Sequence, residues 1–225
     1  MNTRSCHALL LALAAGSVSA QSERSAQRAD PFDTLAMILE VNETDGDAEI
    51  VMTINVDDGL QWLSLRGPRN RVATELVALD RGGIGLAEVL LESGEPSVEA
   101  VLLAYPEGSY RVSAYSVNGR RVEGTVVLSH ALLPAPQFTP ADGAVVDADA
   151  VRVEWAPIAG AEAYRVEIEN DDLGTNLTAT LRGDATSFAV PAGLLEPGTE
   201  YELGVTTISP NGNVAVAEAA FETAD

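Results

Sequence analysis

The side chains that could do chemistry in this chain are few in kind and lopsided in charge. It carries 34 acidic residues against 13 basic ones, all of them arginine, for a formal net charge of −21. The densest group of oxygen ligands is Glu40-Val41-Asn42-Glu43-Thr44-Asp45-Gly46-Asp47. Hard carboxylate and amide oxygens around a glycine turn are what calcium needs, so Glu40, Asn42, Asp45 and Asp47 form a candidate calcium site. The twelve-residue spacing and closing bidentate glutamate of an EF-hand loop are missing, so other loops would have to complete the shell. The alternative is a solvated acidic hairpin turn.

Nucleophile chemistry has less to work with. Cys6 precedes the apolar stretch of what reads as a leader, and the remainder of the chain has no thiol and one histidine, His130. Ser129 beside it could serve as nucleophile only with a distant carboxylate, and no Gly-x-Ser-x-Gly elbow surrounds any serine. Too few histidines exist for a histidine-rich zinc site. Paired carboxylates for glycoside hydrolysis are available by number, but a sandwich this small seldom encloses a substrate cleft. The expectation is therefore no catalytic residue and no cofactor, calcium excepted.

The first twenty residues give Arg4, an apolar stretch from Ala8 to Ala15, and small residues ending at Ala20. This is the pattern of a secretory signal peptide, 1–20, which places the chain outside the cell or in a periplasm. The apolar stretch is far shorter than the ~20 residues of a membrane span, so no membrane insertion is expected. A strongly negative field makes nucleic acid and anionic membrane surfaces poor partners. An unknown protein or a polysaccharide remains.

Residues 21–31 lack a hydrophobic period and read as a flexible arm. From Phe32, period-two runs rich in Val, Ile, Leu and Thr cover 34–41, 48–56, 60–66, 70–79, 109–117 and 121–130, the signature of a β-sandwich. Asn118-Gly119 between the last two predicts a hairpin. Val98, Val101, Leu102 and Tyr105 fall at helical spacing behind Ser97, an N-cap candidate, and predict one short helix. Leu133-Pro134-Ala135-Pro136 divides the chain at 133/134, because prolines stiffen a link and cannot continue a strand.

Residues 134–225 carry landmarks in a telling order. Val151-Arg152-Val153-Glu154-Trp155, Ala163-Tyr164-Arg165-Val166-Glu167-Ile168, Thr186-Ser187-Phe188-Ala189-Val190-Pro191 and Leu195-Glu196-Pro197-Gly198-Thr199-Glu200-Tyr201 resemble strands B, C, E and the turn into F of a fibronectin type III domain. That resemblance implies a core role for Trp155, Tyr164, Leu195 and Tyr201, the last as a tyrosine corner that returns its hydroxyl to nearby backbone. Residues 32–133 resemble the immunoglobulin-like domain of uncharacterised secreted bacterial proteins, and Tyr105-Pro106-Glu107-Gly108-Ser109-Tyr110 echoes the same turn before a tyrosine.

The fold expected is all-β: an immunoglobulin-like sandwich, 32–133, followed by a type III-like sandwich, 134–225. Arg182-Gly183-Asp184 spells the tripeptide integrins read, but it precedes strand E, whereas the F–G loop that displays it in fibronectin corresponds to Ser209-Pro210-Asn211-Gly212-Asn213. A glycine turn accounts for it. Asn42-Glu43-Thr44 and Asn176-Leu177-Thr178 match a glycosylation acceptor pattern that matters only in a eukaryote. The functional expectation is a secreted or periplasmic non-catalytic interaction or adhesion module. Its partner would meet loops at one sandwich end or an exposed sheet edge by strand addition, and 42–47 and 209–213 are the loop segments in which to look for it. A calcium-stabilised structural protein and a small carboxylate- or Ser/His-dependent hydrolase are the alternatives.

Overall fold

The computed structural model describes residues 29–70, 72–78 and 83–225. The expected signal peptide, 1–20, and the expected arm up to residue 28 lie outside them. The last part of the expected arm is docked: Asp30 N–H donates to the Arg121 carbonyl at 3.0 Å, and Glu123 N–H donates to the Asp30 carbonyl at 2.9 Å.

Two β-sandwiches follow. The first is built on β1 (Thr34–Asn42), β2 (Asp47–Arg66), β3 (Val72–Val77), β4 (Leu86–Glu92), β5 (Gly108–Ser116) and β6 (Arg121–Leu128). The sequence predicts separate strands at 48–56 and 60–66, but the chain runs through them as one 20-residue strand. Its first half pairs with β1 and β4, and its second half with β3 and β5, with register shifts between Asn55 and Leu60 and between Leu60 and Trp62. β2 thus bends from one sheet into the other, the device by which strands turn the corner of a sandwich. Along it Ala48, Ile50, Met52, Ile54 and Val56 are buried, and beyond the bend Leu60, Leu63 and Leu65 take over. They meet Met37, Leu39 and Val41 of β1 and Tyr110, Val112 and Ala114 of β5 in one core.

β4 has no counterpart in the predicted runs. It is an outer strand whose one buried hydrophobic residue is Val89, so it shows no alternation to read. The helix forms as expected, α1 (Val98–Ala104), with Val101 buried and Val98, Leu102 and Tyr105 packed on the core. Ser97 occupies the N-cap position without a side-chain capping bond, and its backbone forms a bridge with Asp47. The Asn118-Gly119 turn closes the β5–β6 hairpin, with Gly119 at φ 74°, the left-handed region that favours glycine there.

The second sandwich sets β7 (Phe138–Thr139), β9 (Arg152–Trp155) and β12 (Ser187–Ala189) against β10 (Ala163–Asn170), β11 (Thr175–Arg182), β13 (Glu200–Ile208) and β14 (Val214–Thr223). A short β8 (Ala144–Val146) adds parallel to β14. The two sheets run in the orders β12-β9-β7 and β11-β10-β13-β14, the three-plus-four arrangement of a type III-like sandwich. Trp155, Tyr164, Leu195 and Tyr201 are all buried in its core, alongside Phe221. The Trp155 and Tyr164 ring centroids lie 5.2 Å apart, and those of Tyr201 and Phe221 5.8 Å. Glu196 N–H donates to Tyr201 Oη at 2.8 Å, closing the tyrosine corner. Ile158 N–H donates to Tyr164 Oη at 2.6 Å in the same manner. Tyr110 does the equivalent in the first sandwich, donating to the Pro106 carbonyl at 2.9 Å. Burial pushes the Tyr110 hydroxyl above its ordinary pKa, which keeps it a donor.

The sandwiches are not independent beads. β1 pairs parallel with β14, Glu40 opposite Val214, Val41 opposite Ala215 and Asn42 opposite Val216, so one sheet continues from β11 of the second sandwich into β2 of the first.

Candidate functional site

Both loops singled out as partner-facing lie at the joint between the sandwiches. Ser209 and Asn213 of the F–G loop are buried. Asn213 Oδ1 accepts the Leu39 N–H at 3.0 Å, while its Nδ2 donates to the carbonyls of Ser129 and Ala131 at 2.7 and 3.0 Å. Asn211 Nδ2 donates to the same Ala131 carbonyl at 2.8 Å, and Leu133 N–H donates to Ser209 Oγ at 3.0 Å. A loop rich in Ser, Asn, Pro and Gly reads as a solvent-exposed tip, yet its amides are as well suited to the stray backbone groups of a neighbouring domain. The base of the loop, Ser209 and Asn213, thus forms a clamp on the first sandwich, while Pro210 and Asn211 at its tip are exposed.

The acidic turn 42–47 meets the same seam from the other side. Asn42 Oδ1 accepts the N–H groups of Thr44 and Asp45 at 2.9 and 3.2 Å, a local Asx turn, and Asn42 Nδ2 donates to Glu218 at 2.7 Å. Glu218 N–H donates to Thr44 Oγ1 at 2.8 Å, and Glu43 takes the Ala135 N–H of the linker at 3.0 Å. Glu40, Asn42, Asp45 and Asp47 do come together, around a cavity of about 170 Å³ that Glu49, Glu95 and Glu218 also line. Among the described residues, however, no group of three or more acids or histidines is placed to hold a metal ion. The amide oxygen of Asn42 already serves two backbone donors.

What the seam concentrates is repulsion. Burial pushes the Glu40 carboxyl above its ordinary range; Arg165 pulls it back, and Glu167, Glu92 and Glu95 push it further up. Arg165 divides itself between Glu167 at 2.7 Å and Glu40 at 3.8 Å. Glu49 is raised too, by burial first and then by Glu40, Glu92, Glu95 and Asp47. Glu40 and Glu49 face each other in the β1–β2 hairpin and β4 brings up Glu92, but Glu167 stands on a strand far along the chain that the parallel β1–β14 pairing brings to the same face, which sequence spacing does not show.

The residues considered for hydrolysis are tied down. His130 Nε2 lies 2.8 Å from the Tyr105 carbonyl, and the His130 N–H donates to Glu107 at 2.7 Å. Ser129 Oγ donates to the same Glu107 carboxylate at 3.3 Å, not to the imidazole. These bonds, the one from the His130 N–H first, hold the Glu107 carboxyl below its usual range. Arg182-Gly183-Asp184 forms the turn after β11, with its arginine paired to its own aspartate. A Cβ on Gly183 would stand 2.0 Å from the Ala161 carbonyl oxygen, which requires glycine at this close approach.

A feature with no motif behind it lies on the outer face of β3-β2-β5-β6. Trp62 and Tyr115, opposite one another on neighbouring strands, have ring centroids 5.8 Å apart and planes tilted by 40°. Val77 stands opposite Trp62 on its other side and is 57% exposed, and Tyr115 is 47% exposed. An aromatic at an odd place in an alternating strand is the signal that could have found this pair.

No family model matches the chain. Solved structures similar to it include the following three. A two-domain fibronectin type III segment of chicken tenascin is 15% identical, covering 85% of this chain and 98% of that one, with a TM-score of 0.34. The fibronectin(III)-like modules of Clostridium thermocellum CbhA are 12% identical, covering 86% and 94%, with a TM-score of 0.32. A Fn3-like protein from Clostridium thermocellum is 26% identical over 40% of this chain and 96% of that one, with a TM-score of 0.30. The solved structures similar to this chain are thus fibronectin type III modules and Fn3-like proteins.

Proposed function

We propose that the chain is an exported, non-catalytic binding protein of two sandwiches, with the domain boundary at 133/134 and the joint fixed by the shared sheet and the F–G clamp. The observation that carries the non-catalytic half is the state of its nucleophile chemistry. The one imidazole among the described residues faces a backbone carbonyl and not the neighbouring hydroxyl, and the Glu107 carboxylate that takes that hydroxyl is held below its usual pKa by the His130 N–H, which makes it a weak base. The fixed joint supports the binding half, since a rigid pair of sandwiches holds broad sheet faces in one orientation without ordering cost on binding. Among the described residues no helix is long and apolar enough to cross a membrane. Export rests on the leader, 1–20.

The test is a turnover screen of the purified protein on ester, peptide and glycoside substrates, run beside His130→Ala. No turnover by either protein is expected. Hydrolysis that disappears in His130→Ala would overturn the reading in favour of a hydrolase.

A further inference from the structure

The outer face of β3-β2-β5-β6 differs from the rest of the surface in both charge and chemistry. Arg66, Arg111 and Arg121 share it with Glu75 and Glu123, so it is close to neutral in a chain of net −21. Its ions are largely matched: Arg66 lies 3.9 Å from Glu75, and Arg121 is paired with Glu123. Ser113, Thr125 and the exposed Val127 complete it. Ser64, next to Trp62 on the same side of β2, is buried with its Oγ unpartnered. At ordinary strand spacing the four strands make a platform about 14 Å wide.

We propose that this face binds a neutral polysaccharide, a chain of uncharged pyranose rings laid across Trp62 and Tyr115. The proposal rests on the binding-protein reading and names its ligand. A pyranose ring offers an apolar C–H face and a rim of hydroxyls, which suits an exposed tyrosine beside a half-buried tryptophan, surrounded by donors and acceptors of both signs. Charge selects among occupants. A polyanion is repelled by the molecule as a whole, and a cationic peptide is drawn to the acidic faces elsewhere, whereas an uncharged chain is indifferent to the field and meets a face whose charges are already balanced. The 40° tilt between the rings suits a twisted single chain in solution better than a flat crystalline surface.

The experiment is isothermal titration with three soluble probes, hydroxyethyl cellulose, arabinoxylan and galactomannan, followed by tryptophan fluorescence. The chain has two tryptophans, and Trp155 is buried, so a ligand-induced change reports on Trp62. Expected is saturable binding to at least one probe, unchanged between about 0.05 M and about 0.5 M salt. Tyr115→Ala and Trp62→Ala should each weaken it about tenfold, and Trp62→Phe should keep most of the affinity while silencing the fluorescence change.

Because Trp62→Ala could disturb folding, Tyr115→Ala, at the more exposed ring, is the deciding variant, with melting as its control. Failure of all three probes to bind overturns the proposal, as does full affinity in a folded Tyr115→Ala. So does binding that salt abolishes, the mark of a charged peptide, or self-association lost in Tyr115→Ala, the mark of a second copy on this face. New reducing ends released from a bound probe would instead sink the non-catalytic reading and leave the platform standing.

Discussion

The outer face of the sheet that crosses the joint and the outer face of β3-β2-β5-β6 are made by the same period-two alternation. The first carries Glu40, Glu49, Glu167, Glu169, Glu202 and Glu218 around Arg165. The second carries Trp62, Tyr115 and balanced ions. Binary pattern sets which residues face outward and is silent about what they do there. The acidic face collects like charges from strands of both sandwiches and so holds the joint under electrostatic load, whereas the platform draws on one sandwich and bears none. What opposes that load is the β1–β14 pairing together with the neutral amide network of the F–G loop beside it, and this separation of holding from loading can be tested in pieces.

The largest effect is expected from Asn213→Ala. It strands the Leu39 N–H and leaves the Ser129 carbonyl without a donor in a buried seam, for a loss of about 2–4 kcal/mol. Urea unfolding of the wild-type chain should be a single transition, and Asn213→Ala should split it, the sandwiches unfolding separately. A single transition of unchanged midpoint in the variant would mean that the clamp does not hold the joint.

A smaller loss belongs within one sandwich. Tyr201→Phe leaves the Glu196 N–H without its acceptor and should cost about 1 kcal/mol without dividing the transition. If Tyr201→Phe splits the unfolding curve and Asn213→Ala does not, the roles given to core and joint are reversed.

These two residues also mark how far the sequence could be read. The tyrosine corner was legible because Leu195 to Tyr201 is one local segment whose turn, ring and acceptor lie within a few residues. Strand alternation likewise exposed five of the six strands of the first sandwich, and the Asn-Gly turn fixed its hairpin. The missing strand, β4, is an outer one with a single buried hydrophobic residue and nothing to alternate against. The bend in β2 was read as a break because Asp57-Asp58-Gly59 looks like a turn, although both flanks continue in one strand. The clamp was beyond reach for a different reason. Asn213 is 174 residues from its Leu39 partner, and no local pattern encodes a contact made by tertiary pairing.

The loaded side of the comparison responds to pH and to one charge. Glu40 and Glu49 have raised pKa values in the folded state, so their ionisation opposes folding. In the window above the ordinary carboxylate value of 4.5 the folded chain holds more protons than the unfolded one, and stability falls as pH rises through it. Glu40→Gln should therefore melt higher than wild type at pH 7, Arg165 keeping Glu167 as its partner, and the gain should shrink as pH drops into that window. A variant that melts lower at pH 7 would show the Arg165 contact to outweigh the repulsion.

The smallest effect is the one that separates screening from coordination at the acidic turn. A negative seam is stabilised by any salt that shortens the range of its repulsion, and a true calcium site adds a term that depends on ligand count and geometry. With Asn42 Oδ1 engaged by the turn's own backbone and no three acids among the described residues placed to hold a metal ion, only the first term is expected. Melting curves in calcium chloride, magnesium chloride and sodium chloride at equal ionic strength should then coincide, and EDTA should leave the sodium curve unmoved. A higher midpoint in calcium alone, abolished in the double variant Asp45→Asn with Asp47→Asn, would show instead that the turn opens its Asx bonds to take the ion. The joint would then be a cation-dependent one, and the platform, distant from every one of those oxygens in register, should keep its affinity whether or not the metal is present.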